Sequence, residues 1–297
     1  MFTGCGTALV TPFRRDLSLD EEAVRRLVRR QIEGGINFLV PCGTTGESPT
    51  LSHAEQRRVV QIAIEEARGR VPVLAGAGGN DTAHVIELAR EFKALGADGI
   101  LSVSPYYNKP TQEGLYQHFK AIAAVALPII LYNIPGRTGV NIEPATLKRL
   151  AEIDNIIGVK EASGNISQMA VILDNVPENF LVLSGDDGIT LSLLALGGRG
   201  LISVVSNEIP AEMTRLVQLA LANDFAAARE LQRRYFGLME VNFVETNPAP
   251  VKAGMALMGL CEPVCRLPLV QVKPDNLAKI RFVLESVGLV QQVYAAR

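Results

Sequence analysis

Histidine, cysteine and long apolar runs are scarce in this 297-residue chain, and each shortage excludes something. The three histidines, His53, His84 and His118, fall on separate helical patterns with no HxxxH spacing, so local spacing offers no metal site. The four cysteines, Cys5, Cys42, Cys261 and Cys265, are scattered except for one CxxxC, which lacks the second ligand pair of a zinc site. Free thiols are expected. The apolar run from Ala121 to Tyr132 is broken by Pro128 and falls well short of the ~20 residues that span a bilayer. The opening MFTGCGTALVTPF has no charged segment before an apolar core, so the chain reads as cytoplasmic and without a membrane partner. A net charge of −2 gives no basic footprint for nucleic acid. Arg25, Arg26, Arg29 and Arg30 share one helical pattern and read as a solvated face.

What is present is a regular alternation in a chain that is 48% hydrophobic, enough to bury a large core. GTALV (Gly6 to Val10) suits a first strand. SLDEEAVRRLVRRQIEGG then reads as a helix with a Ser18/Glu21 capping box and a Gly34-Gly35 stop. INFLVP precedes a helix capped by Ser52 with Glu55, VPVLAG one from about Asn80, DGILSVSP one from Thr111, and PIILYN one from about Glu143. IIGVKEAS, FLVLSGDD and GLISVV follow as strands six, seven and eight, each trailed by a helical stretch. No strand is followed by GxGxxG, since GAGGND fails at the last glycine, and there is no GxxxxGK[ST] loop. Eight strand-helix units predict a (β/α)8 TIM barrel over 1–225 that carries the active site. The pattern is helical beyond it, with Pro248, Pro250, Pro263 and Pro268 at the joints, which predicts a C-terminal helical region over 226–297.

Lys160 is the residue that asks for an explanation. It follows Ile156-Ile157-Gly158-Val159, a run apolar on both faces, and burial there disfavours an ammonium. A lysine held neutral is a nucleophile able to form a Schiff base. Alternatively its stem is buried and its head reaches a carboxylate such as Glu161. Because barrel enzymes build their sites at the C-terminal ends of the strands, the other strand ends become candidates. Gly43-Thr44-Thr45-Gly46-Glu47-Ser48 after strand two offers N–H groups and hydroxyls to a small carboxylate, or is a tight turn. Tyr106 and Tyr107 after strand four line a pocket and an interface, or pack over the rim. Tyr132 closes the strand next to Lys160 and is placed for proton transfer, while Arg137 beyond it could fork onto a carboxylate or be a surface cation. For Asp186 and Asp187 after strand seven, helix capping is favoured over a metal.

GTTGES (Gly43 to Ser48), PYYNKP (Pro105 to Pro110), LYNIPGRTG (Leu131 to Gly139), GVKEAS (Gly158 to Ser163) and NPAPVK (Asn247 to Lys252) occur in that order. Together they resemble the dihydrodipicolinate synthase family of the pyruvate-dependent Schiff-base lyases, over almost the whole chain. The resemblance implies that Lys160 forms a Schiff base with pyruvate and that Thr45 holds the pyruvate carboxylate. Thr44, Tyr107 and Tyr132 would form a hydroxyl relay, with Tyr107 reaching in from a neighbouring subunit of a homotetramer built as a dimer of dimers. Arg137 would receive the carboxylate of L-aspartate 4-semialdehyde, and Gly185 and Ile202 would line the pyruvate pocket. The implied reaction gives 4-hydroxy-tetrahydrodipicolinate for diaminopimelate and lysine synthesis, with no cofactor and no metal. Another pyruvate aldolase, acting on a sugar acid or 4-hydroxy-2-oxoglutarate, shares the lysine and the tyrosine but usually has a small or apolar residue where Arg137 stands. A non-catalytic binding barrel is a further alternative. Family members inhibited by lysine bind it at positions matching Ser48, Pro49, His53, Gln56, Asn80, His84 and Tyr106. Gln56 and His84 depart from the histidine and glutamate of inhibited members, so weak feedback or none is expected.

Overall fold

The computed structural model describes residues 1–291. Eight parallel strands alternate with helices. β1 (Gly4–Ala8) leads to α1 (Glu21–Glu33), β2 (Phe38–Val40) to α2 (His53–Ala67), β3 (Leu74–Gly76) to α3 (Thr82–Leu95) and β4 (Gly99–Val103) to α4 (Gln112–Ala123). β5 (Ile129–Asn133) is followed by the single turn α5 (Pro135–Thr138) and by α6 (Pro144–Leu150). β6 (Ile156–Glu161) precedes α7 (Ile166–Asn175), β7 (Leu181–Ser184) precedes α8 (Thr190–Ala195), and β8 (Gly200–Ser203) precedes α9 (Pro210–Leu221). Three helices complete the described chain: α10 (Phe225–Val241), α11 (Ala249–Leu257) and α12 (Pro274–Ser286).

The strands pair in the order β2-β1-β8-β7-β6-β5-β4-β3, and a parallel bridge between Leu39 and Val73 joins the two ends, so the sheet closes as the TIM barrel expected from the strand count. Closure sorts the side chains by strand period. Ala8, Phe38, Val40, Leu74, Leu101, Ile130, Tyr132, Leu183 and Ile202 form one buried cluster, the barrel interior. Their neighbours along the chain, such as Ile129, Leu131, Val159 and Val182, join a separate cluster with the surrounding helices. Each fully buried aliphatic side chain contributes about 1.5–3 kcal/mol. Phe2 plugs the interior, meeting Phe38 edge to face with ring centroids 5.6 Å apart. Gly6 makes room for it, since a Cβ there would lie 2.1 Å from the Phe38 ring.

One irregularity in the sheet sets the register of the site. Along β5 and β6, Ile129 pairs with Ile156 but Ile130 pairs with Gly158, so Ile157 is an extra residue. Beyond it Tyr132 lies opposite Lys160 and Asn133 opposite Glu161.

Several helix starts are set by side-chain caps, and the first of them differs from the sequence reading. Ser52 and Glu55 form the expected capping box, and Thr111 caps α4. The first helix is capped by Asp20, whose carboxylate accepts the Ala23 N–H, and not by Ser18. Ser18 donates instead to Asp16 at 2.6 Å in the preceding turn, which consumes its hydroxyl before the helix begins. At the other end of the chain, α9 packs on β1 and on α10, while α12 packs on both α10 and α11. Among the described residues no helix is long and apolar enough to cross a membrane.

Candidate active site

Lys160 lies on β6 with 5% of its surface exposed. It makes no hydrogen bond or ion pair with the described residues. The reach to Glu161 does not occur, because successive strand residues face opposite sides of the barrel wall. Glu161 points into the helical layer, where it accepts from Asn133 Nδ2 at 2.9 Å and from the Ser163 N–H at 2.7 Å. Burial pulls the Lys160 amine down from the ordinary lysine value to about 8; the buried Asp187 carboxylate opposes that shift and the Arg137 cation adds to it. At pH 7.5 a lysine with that pKa is roughly a quarter neutral, against about a thousandth at the ordinary value.

Tyr132 is the nearest companion. Lys160 Nζ sits 4.3 Å from the centre of its ring, as the strand register requires. Burial pushes its phenol up to about 12, with Arg137 and the Thr44 hydroxyl both favouring the anion. Thr44, Tyr132 and Arg137 line one cavity of about 470 Å3, whose wall continues past Ser48, His53, Asn80 and Tyr106. Thr44, Tyr132 and Arg137 therefore open into the same space as the candidate lysine-binding positions, while Lys160 itself is not among the residues that line it. Within it the Gln56 amide donates to the Ser48 carbonyl at 3.0 Å, His53 Nε2 lies 2.6 Å from Glu91 Oε2, and His84 packs edge to face on His53. Tyr107 is outside this group: it stands on the rim with 88% of its surface exposed and a backbone φ of 74°.

The remaining candidates sit deeper. Thr45 is 3% exposed and Ile202 is 1% exposed in the barrel interior. Gly185 follows β7 where the Lys160 stem passes, and a Cβ there would meet Ala162 Cβ at 2.6 Å and Lys160 Cε at 3.0 Å. No larger residue leaves the lysine that path. The two aspartates beyond it differ from the expected helix caps, since α8 is preceded by Ile189 and has no side-chain cap. Asp186 accepts the Gly188 N–H at 2.8 Å in a local turn. Asp187, 1% exposed, reaches across to β8, where it accepts from Ser203 Oγ and from the Val204 N–H at 3.0 Å. Burial raises its carboxyl to about 6.

Three residues to which the sequence reading gave no role join the site, all contributed from far along the chain. Asn247 Nδ2 donates to Thr45 Oγ1 at 3.0 Å, and its main-chain carbonyl accepts from Arg137 Nη2 at 3.3 Å. Lys252, fully buried on α11, donates to Glu47 Oε1 at 2.6 Å and to the Thr11 carbonyl at 2.8 Å. The Arg266 N–H completes the carboxylate of Glu47 at 3.0 Å. The NPAPVK motif was visible in the sequence, but nothing local gave its contacts. Among the described residues no group of three His, Cys, Asp or Glu side chains is arranged to hold a metal ion.

Comparisons with known proteins agree over nearly the whole chain. The model of the Dihydrodipicolinate synthetase family matches residues 1–287. A 4-hydroxy-tetrahydrodipicolinate synthase of Koribacter versatilis is 55% identical over 296 residues, covering 99% of each chain. The crystal structure of the dihydrodipicolinate synthase of Thermotoga maritima superposes with a TM-score of 0.96 at 46% identity, covering 98% of this chain and 100% of the other. The chloride-inhibited dihydrodipicolinate synthase of Acinetobacter baumannii, solved in complex with pyruvate, gives a TM-score of 0.96 at 43% identity with the same coverage.

Proposed function

The chain belongs to the dihydrodipicolinate synthetase family, and from that premise we infer the chemistry and the residues that perform it. Its activity is that of a 4-hydroxy-tetrahydrodipicolinate synthase in lysine and diaminopimelate biosynthesis. Pyruvate and L-aspartate 4-semialdehyde are the substrates. The Lys160 amine adds to the pyruvate carbonyl and expels water as the iminium forms. Loss of a methyl proton gives the enamine, whose carbon attacks the aldehyde. The substrate amine then adds to the iminium carbon, the six-membered ring closes, and Lys160 leaves as the free amine.

The single observation that carries this reading is a buried, unpaired lysine in register with a buried tyrosine. The low-dielectric interior keeps part of the amine neutral for attack, and the phenol, held protonated, can donate as the carbonyl oxygen departs. Thr44, in contact with Tyr132, extends the relay towards the cavity, and Tyr107 would complete it from a second copy of the chain in a tetramer of paired dimers. Its almost complete exposure suits a side chain with a task outside its own subunit. Thr45 receives the pyruvate carboxylate, with Gly185 and Ile202 shaping the space beside it. Arg137 receives the carboxylate of the aldehyde, which favours the amino-acid aldehyde over a sugar acid.

Borohydride reduction in the presence of pyruvate tests the first half, since it should fix pyruvate covalently on Lys160 in the natural chain and not in Lys160→Ala. Adding L-aspartate 4-semialdehyde and following the cyclic product by mass tests the second. Trapping without product would leave the Schiff base standing and remove the aldehyde assignment.

A further inference from the structure

We propose that Asn247 is a positioning residue that aims the Thr45 hydroxyl at the pyruvate carboxylate; the proposal rests on the reading of Thr45 given above. The bond from Asn247 Nδ2 to Thr45 Oγ1 is buried and joins residues 202 apart in the chain. A hydroxyl has one proton to donate and accepts through its lone pairs. Because Thr45 accepts from Asn247, its proton must point elsewhere, and among the described residues no acceptor takes it. It is therefore held ready for an anion. Among the described residues the bond to Thr45 is also the only hydrogen bond of the Asn247 side chain, since its Oδ1 is buried without a partner there.

The amide is held firmly enough for direction to matter. Two residues past Thr45, Glu47 grips Lys252, which lies five residues past Asn247. The β2 loop and the start of α11 are thus fastened at two parallel points, and the fully buried ion pair keeps them from sliding. The Asn247 carbonyl is also bonded to Arg137, so one residue touches both groups assigned to substrate carboxylates. Of these two contacts the one to Thr45 runs through the side chain and the one to Arg137 through the backbone, which lets mutation separate them.

The test compares Asn247→Ala with the isosteric Asn247→Asp, reading pyruvate KM, aldehyde KM and borohydride trapping of pyruvate. Alanine leaves the Thr45 hydroxyl free to rotate, and losing one hydrogen bond's worth of orientation should raise pyruvate KM about tenfold. Aspartate offers an acceptor where the donor was, so it takes the Thr45 proton and sets a negative charge beside the incoming carboxylate. It should be worse than alanine, although it fills the space better. Aldehyde KM should move little in either. In a Thr45→Val background Asn247→Ala should have no further effect on pyruvate KM, and this cycle decides the matter if the aspartate variant does not fold. The proposal is overturned if Asn247→Asp binds pyruvate as well as or better than Asn247→Ala, or if the alanine effect persists undiminished without the Thr45 hydroxyl. Failure of the natural chain to trap pyruvate at all would instead remove the function on which the proposal stands.

Discussion

Lys252 Nζ and Glu47 Oε1 lie 2.6 Å apart with neither side chain exposed, and this pair ties the helices that follow the barrel to the loop that carries Thr44 and Thr45. Removing one partner of such a pair leaves a buried charge without compensation. Lys252→Met should destabilise the fold by about 3–5 kcal/mol, and Lys252→Met with Glu47→Gln should recover part of that loss. Denaturant unfolding of both variants measures it; equal stabilities for the single variant and the natural chain would contradict the account.

On the proposed mechanism the Lys160 amine, depressed to about 8 by burial, attacks only when neutral. Single-turnover formation of the pyruvate adduct should therefore accelerate as pH rises through that value. Arg137 contributes to the depression, so in Arg137→Ala the Lys160 pKa rises and the acid limb of the profile should move to higher pH. A limb that stays fixed or moves down would show that the two charges do not interact.

Arg137→Ala should also raise aldehyde KM by roughly ten- to a hundredfold, the effect of a charged hydrogen bond, while pyruvate trapping survives. Steady-state kinetics at saturating pyruvate reads the loss.

Glu208 carries a pH signature of a different kind. It is fully buried, and burial pushes its carboxyl up to about 8 despite a hydrogen bond from Asn242. The folded state thus holds a proton that the unfolded chain releases near the ordinary glutamate value. Its contribution to stability is complete below that ordinary value and is lost as pH rises towards 8. Glu208→Gln should flatten the decline in unfolding free energy between pH 6 and 8. An unchanged slope in urea titrations at both pH values would sink this assignment.

Feedback by lysine should be weak. Gln56 spends its amide on backbone carbonyls, His53 is engaged with Glu91, and His84 packs edge to face on His53. Assayed with millimolar lysine, the enzyme should keep more than half its activity.

The parts of this architecture that were legible in the sequence are those that depend on near neighbours. The Ser52 and Glu55 capping box, the strand count and the adjacency of Tyr132 and Lys160 all follow from periodicity and order. The first helix cap was misplaced because Ser18 and Asp20 both satisfy the local rule, and only the competing turn with Asp16 separates them. The destination of Asp187 was out of reach for another reason: its partners belong to the next strand, Ser203 and the residues after it. The contacts of Asn247 with Thr45 and of Lys252 with Glu47 span more than 200 residues, and no pattern in one sequence encodes which ends of the chain will meet.

The extra residue at Ile157 works as a phase shifter. If β5 and β6 ran in unbroken register from Ile129 and Ile156, Tyr132 would face Val159, Lys160 would stand opposite Asn133 on the outer side of the wall, and Glu161 would turn inward. The amine would then lie outside the barrel altogether, and a carboxylate would take its place in the interior. Displacing the pairing by one position instead decides which of two oppositely charged neighbours looks inward, and it is the lysine that does, with the carboxylate left on the outer side.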